Sequence, residues 1–222
     1  MSLRRVLAGV VLALLGGCAA PPSAPPAPPP AVVLVPPGQA CLAELGRAHA
    51  AFQPLASFGE GRCSIANPVR LTGGSMAWNH PGVLTCEMAR RLVEFEAEVV
   101  QPLARRYFGQ GVKRLNHFGT YDCRTRRTET SVAAARLGTS RGGRLSEHAM
   151  GRAIDLAGFQ LEDGTEISVK HDWRAGGARG GFLHALARAS CDRFSVVLTP
   201  NHDRLHQDHI HLDIGPHTLC GI

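Results

Sequence analysis

Aromatic residues make up only 5% of this 222-residue chain, so its core has to be built from Leu, Val, Ile and Ala. There is no run of Lys and Arg and no nucleic-acid-binding motif, which argues against a nucleic-acid partner. No two cysteines have the CxxC spacing of a metal knuckle, so zinc is not assigned to sulfur. No segment is apolar enough for long enough to cross a bilayer as a helix. Internal repeats are absent as well.

What is present describes an ordinary globular chain with appendages. Hydrophobic residues account for 44%, and the length favours one domain. The formal charge of +6 falls to +4 when Arg4 and Arg5, which lie in a leader-like segment, are discounted. A modest positive excess suits an anionic polymer such as cell wall, and equally a mildly basic solvated surface.

Residues 1–17 read as an export signal of lipoprotein type. Arg4 and Arg5 supply the positive start, and Val6 to Leu15 is an apolar run of about ten residues, the length of a signal core. It ends in Leu15-Gly16-Gly17-Cys18, which resembles the bacterial lipobox. The expectation is that Cys18 is acylated and anchors the chain to a membrane without a spanning helix. Residues 18–38 are dominated by Pro and Ala. Such a run cannot build a core and favours extended conformations, so it reads as a linker or stalk. Residues 39–222 form the expected folded domain, exported to the periplasm.

Of the seven cysteines, six remain if Cys18 is lipidated. An even number in an exported chain implies a disulfide framework. Six cysteines allow fifteen connectivities. Pairing neighbours along the chain predicts Cys41–Cys63, Cys86–Cys123 and Cys191–Cys220.

The periodicity predicts a short helix over Ala40–Phe52 and a strand over Cys63–Thr72. Leu84–Tyr107 is the clearest helix, with Met88, Leu92, Phe95, Val99 and Leu103 at three- and four-residue spacing. Thr85 caps its start and Gly109 its end, and Pro102 is expected to kink it or split off its last turn. Val112–Tyr121 reads as a strand, followed by a polar loop rich in Arg and Gly up to Gly143. Arg152–Leu161 is a second strand. Asp163-Gly164 is a hairpin turn, with Glu166–Val169 returning antiparallel. A helix is expected over Gly180–Ser190 and strands over Phe194–Leu198 and His209–Ile214. The fold class expected is α+β: a small antiparallel sheet packed against helices and stapled by disulfides.

Two stretches carry the chemistry. Ser146-Glu147-His148-Ala149-Met150-Gly151-Arg152-Ala153-Ile154-Asp155 holds a histidine and an aspartate seven residues apart. Asp208-His209-Ile210-His211-Leu212-Asp213 lies over fifty residues later. On a strand, residues two apart share a face, so His209, His211 and Asp213 point one way while Ile210 and Leu212 pack inward. Two imidazoles and a carboxylate suit zinc and leave a coordination position for water. The chain has eleven histidines, five of them between positions 202 and 217, and not all can be ligands.

Ser146-x-His148-x-x-Gly151-x-Ala153-x-Asp155 resembles the SxHxxGxAxD motif of the LAS zinc peptidases, which include D-Ala-D-Ala carboxypeptidases, murein endopeptidases and the hedgehog amino-terminal domain. His209-Ile210-His211 resembles their HxH motif. Tyr121-Asp122-Cys123-Arg124, Leu145 to His148, Asp172-Trp173 and the terminal His209-x-His211-x-Asp213 look like the bacterial extensin-like C-terminal domain family, over roughly Cys41 to Cys220. The resemblance implies His148, Asp155 and His211 as zinc ligands. It also implies a role for Arg124 in steadying a substrate carbonyl or its oxyanion. Many relatives carry a glutamate as general base three residues before the last ligand. Here that position is Asp208, so His209 is the first choice for the base, with His206 and Asp208 next. Asp213 and Ser146 are expected to orient ligands from behind. The implied function is a zinc-dependent peptidase acting on peptidoglycan peptides. The alternative is a non-catalytic, zinc-containing wall-binding or scaffold module.

Overall fold

The computed structural model describes residues 37–222, apart from 58, 60, 129, 131 and 133–142. The export signal, the Cys18 anchor and nearly all of the Pro/Ala linker lie outside the described residues, as does most of the polar loop before Gly143.

Helix α1 (Pro37–Arg47) is shorter than its pattern suggests. The chain turns at His49, which has φ 54°. There Ala50 N donates to Leu45 O and His49 N to Gly46 O. That pairing is a helix-closing motif usually served by glycine, so no residue type announced it. Beyond it Ala51–Pro54 is strand β1.

The principal helix begins as expected. Thr85 is extended, and its hydroxyl accepts from Met88 N at the start of α2 (Cys86–Phe95). The helical path continues through a wide π turn at Glu96–Val100 into α3 (Gln101–Phe108). Pro102 therefore neither ends nor splits the helix. Proline lacks an N–H and its ring crowds the carbonyl four residues back, and the wide turn just before it absorbs both problems. Gly109 closes the helix in the left-handed region at φ 71°.

Nine strands among the described residues make one sheet, in the order β1-β2-β3-β4-β5-β8-β7-β9, with β6 also on β5. Their ranges are β2 Pro68–Gly73, β3 Ala77–Thr85, β4 Val112–Gly119, β5 Ala153–Leu161, β6 Glu166–Ser168, β7 Val196–Leu198, β8 Ile210–Asp213 and β9 Leu219–Gly221. The sheet is larger than expected and mixed, since β3 with β4 and β7 with β9 run parallel. The helical crossover between β3 and β4 accounts for the first case, because parallel neighbours need a long connection. Strand β3 was not foreseen, for it contains Pro81 and Gly82. Its middle is held by side chains instead: Asn79 Nδ2 donates to His117 O, and His117 N donates to Asn79 Oδ1, both at 3.1 Å.

Behind the sheet lie α2, α3, a single turn α4 (Val169–Asp172) and α5 (Gly177–Ser190). Ile154 and Leu156 of β5 and Ile210 and Leu212 of β8 join Leu92, Phe182 and Leu186 in one buried core. The alternate residues of β5 and β8 are thereby turned to the opposite face.

Three disulfides are present, two of them differing from the neighbour-pairing expectation: Cys41–Cys86, Cys63–Cys123 and Cys191–Cys220. Helix α1 packs on α2, which brings Cys41 to Cys86. Cys63 meets the chain leaving β4, where Tyr121 Oη donates to Cys63 O at 2.9 Å. Sequence neighbours are not spatial neighbours here, because β2 and β3 intervene.

Candidate metal centre

The register of β5 on β8 sets Asp155 directly opposite His211. Asp155 Oδ1 lies 2.9 Å from His211 Nδ1. His148 reaches the same point from a 3₁₀ turn, Glu147–Met150, that runs into β5. Ser146 caps this turn, its Oγ accepting from His148 N, and Gly151 closes it at φ 64°. The turn is fastened on two sides. Thr85 N donates to Gly151 O at 2.8 Å, and the buried Glu147 carboxylate is gripped by Arg152 at 2.7 Å and Arg126 at 3.3 Å.

His148 Nε2 then lies 3.1 Å from Asp155 Oδ1 and 3.2 Å from His211 Nδ1. Three potential ligand atoms from three segments thus converge within 4.8 Å. The outer contacts decide which nitrogen of each ring faces inward. His148 Nδ1 donates to Thr120 O at 2.6 Å, and His211 Nε2 donates to Asp213 Oδ2 at 3.1 Å. Each inward nitrogen therefore carries its lone pair towards the cluster when the ring is neutral.

Electrostatics couple the group. Burial opposes charge on Asp155, but hydrogen bonds with His148 and His211 outweigh it and hold the carboxyl well below its usual range. Burial likewise opposes the proton on His211, yet Asp155 and Asp213 raise its pKa to about 9. Two carboxylates facing one imidazole make a site that attracts positive charge. Two nitrogens and one oxygen as donors fit zinc.

Asp155 and His211 line a cleft of about 530 Å³, with His148 buried behind them. Arg124 and His206 line it, whereas Asp208 does not. Arg124 Nε donates to Asp122 at 2.8 Å. His209 lines the cleft and is bracketed, with Nδ1 2.8 Å from Asp208 Oδ1 and Nε2 3.5 Å from Asp155 Oδ1. Asp208 sits two residues before β8 and is half exposed, so it touches the cluster only through His209.

Several participants escape sequence reading. Thr120 acts through its backbone carbonyl, which no residue type reveals. Phe118, 58% exposed, stands edge-on to His209 at 5.9 Å between ring centroids. Asp203 holds His206, Oδ1 to Nδ1, at 2.7 Å, and its position three residues before a histidine in a Pro/Asn-marked turn was the available signal.

A sheet with one helix-covered face, bearing a His/Asp/His cluster in a cleft on the other, defines an α+β domain with a candidate metal centre. The chain belongs to the family described as extensin-like protein C-terminus, whose model matches residues 39–221. No curated protein and no solved structure matches it.

Proposed function

We propose that the domain is a zinc-dependent peptidase hydrolysing peptide bonds in bacterial peptidoglycan. The observation that carries this reading is the convergence of His148 Nε2, Asp155 Oδ1 and His211 Nδ1, with Thr120 O and Asp213 fixing both imidazoles from behind. The similarity of SxHxxGxAxD and HxH to the LAS zinc peptidases supports the metal and the reaction class.

In this reading His148, Asp155 and His211 hold the ion, which supplies Lewis acidity towards water and a scissile carbonyl. Arg124, anchored by Asp122, places a guanidinium on the cleft wall where charge develops on the carbonyl oxygen. His206 and His209 are the imidazoles near enough to exchange a proton with the attacking water. An export leader, an acylated Cys18 and a proline-rich stalk would hold the domain at the membrane within reach of the wall.

The test has two arms. Protein purified without a histidine tag should carry about one zinc per chain, as a single three-ligand site requires, and His148→Ala or His211→Ala should lose it. Zinc-loaded protein incubated with purified muropeptides should yield new fragments by mass spectrometry. Intact substrates in the presence of bound zinc would replace the peptidase with a wall-binding module.

A further inference from the structure

We propose that Asp203 is a positioning residue that makes His206 the proton acceptor of this site. The inference rests on the peptidase reading above, and it moves the base away from His209.

The local geometry begins with a tight turn. Asp203 is extended, with φ −157° and ψ 179°, and starts the 3₁₀ turn Arg204–His206. Its Oδ1 accepts from Leu205 N at 2.8 Å and from His206 Nδ1 at 2.7 Å. Its Oδ2 faces His202 Nε2 at 3.7 Å. An ionised carboxylate can only accept, so the proton of a neutral His206 ring resides on Nδ1 and Nε2 is bare. Among the described residues Nε2 has no hydrogen-bond partner, and the ring lines the cleft. It stands 5.1 Å from the His209 ring and 6.0 Å from the His211 ring, centroid to centroid. A bare nitrogen beside the ligand cluster, fixed from behind by a carboxylate, is what proton abstraction needs.

His209 is arranged differently. Its Nδ1 also meets a carboxylate, Asp208, but its Nε2 is directed at Asp155 Oδ1. That nitrogen is turned to a ligand oxygen and is not free on the cleft. His206 is therefore the ring with a free nitrogen on the cleft, and His209 the ring with a carboxylate at each nitrogen. In the balanced reaction, water adds to the carbonyl carbon and gives one proton to His206 Nε2. That proton passes to the leaving nitrogen as the C–N bond breaks, releasing an amine and a carboxylic acid whose own proton, the second from water, is lost to solvent to leave the carboxylate.

Asp203 also caps a helical turn, and a purely structural role must be separated. Serine caps such turns about as well as aspartate but is too short to hold the His206 ring. Asp203→Ser in zinc-loaded protein, assayed on muropeptides, should lower kcat by about 10–100-fold. KM, zinc content and melting temperature should stay at wild-type values. The double variant with His206→Ala should be no slower than His206→Ala alone, since the two residues act as one unit. Long-range proton–nitrogen NMR of the zinc-loaded protein should place the His206 proton on Nδ1 in the wild type and show a mixture of tautomers in Asp203→Ser. Wild-type turnover in Asp203→Ser, or additive losses in the double variant, would overturn the proposal. If the wild type cleaves nothing, the peptidase reading fails on its own, and the NMR arm still decides the placement: a tautomer indifferent to Asp203→Ser sinks it.

Discussion

His211 Nε2 donates to Asp213 Oδ2 across 3.1 Å on the same strand, and this one bond selects Nδ1 as the nitrogen that meets Asp155 and His148. Asp213 is almost wholly buried, and its other oxygen accepts from Gly215 N at 2.9 Å.

Asp213→Asn should therefore weaken zinc binding without removing it. The new amide would present an N–H to His211 Nε2 and favour the wrong tautomer. A loss of roughly 10–100-fold in affinity is expected for such an outer partner, with far-UV circular dichroism unchanged. Competition against a chromogenic zinc chelator measures it, and wild-type affinity would show that Asp213 has no hold on the ligand.

A second expectation concerns pH. Trp78 sits between two buried ionisable groups: its Nε1 donates to Glu96 Oε1 at 2.6 Å, and its ring meets His117 edge-on at 5.1 Å. Burial pushes Glu96 up to about 7, against hydrogen bonds from Trp78 and the backbone of residues 74–76. Burial pushes His117 down to about 4. The folded state thus binds more protons at Glu96 than the unfolded chain does between pH 4.5 and 7, so this contribution is complete below 4.5 and lost as pH rises to 7. At His117 the folded state binds fewer protons between 4 and 6.5, so that contribution is complete above 6.5 and lost as pH falls to 4. Each is worth roughly 3 kcal/mol, and over their shared window they offset. Urea unfolding from pH 4 to 7.5 should show the difference between wild type and His117→Leu growing with pH, and that between wild type and Glu96→Gln shrinking with pH. Parallel curves would refute the assignment.

Gly151→Ala tests the turn that delivers His148. Gly151 lies at φ 64°, and a Cβ there would meet Ile65 Cδ1 at 2.6 Å and Thr85 N at 3.1 Å. Backbone strain alone should cost about 1–3 kcal/mol. Because the turn carries His148, proposed above as a ligand, zinc affinity should fall together with the melting temperature. A drop in stability with undiminished zinc affinity would show that the turn and the cluster are independent.

The disulfide pattern is checked most directly. Non-reducing proteolysis and mass spectrometry should recover Cys41 linked to Cys86, Cys63 to Cys123 and Cys191 to Cys220. Removing the Cys63–Cys123 pair should destabilise the domain by about 2–4 kcal/mol.

What could be read in advance was what local chemistry writes. Thr85 and Gly109 bound the long helix because capping is a property of single residues. The Asp163-Gly164 turn and the alternation over Ile210 to Asp213 are equally local, and the second already implied that His209, His211 and Asp213 share a face. Strand β3 was illegible because Asn79 and His117 supply the bonds that its Pro81 region cannot make. The disulfides depended on which strands lie between the cysteines, which no spacing encodes. Asp213 and Ser146 could be named as supports by residue type, whereas Thr120 and Asp203 hold the site through a carbonyl and a turn that residue type does not reveal.

The three residues of the candidate metal centre come from the 3₁₀ turn at 147–150, from β5 and from β8, so that His148 and His211 are 63 residues apart in the chain. Strand β8 is secured in turn by β7, to which β9 and the Cys191–Cys220 bridge are attached. Metal retention would thus serve as an assay of completeness. A nicked or shortened chain that held zinc would have kept the whole stretch from 148 to 211 assembled.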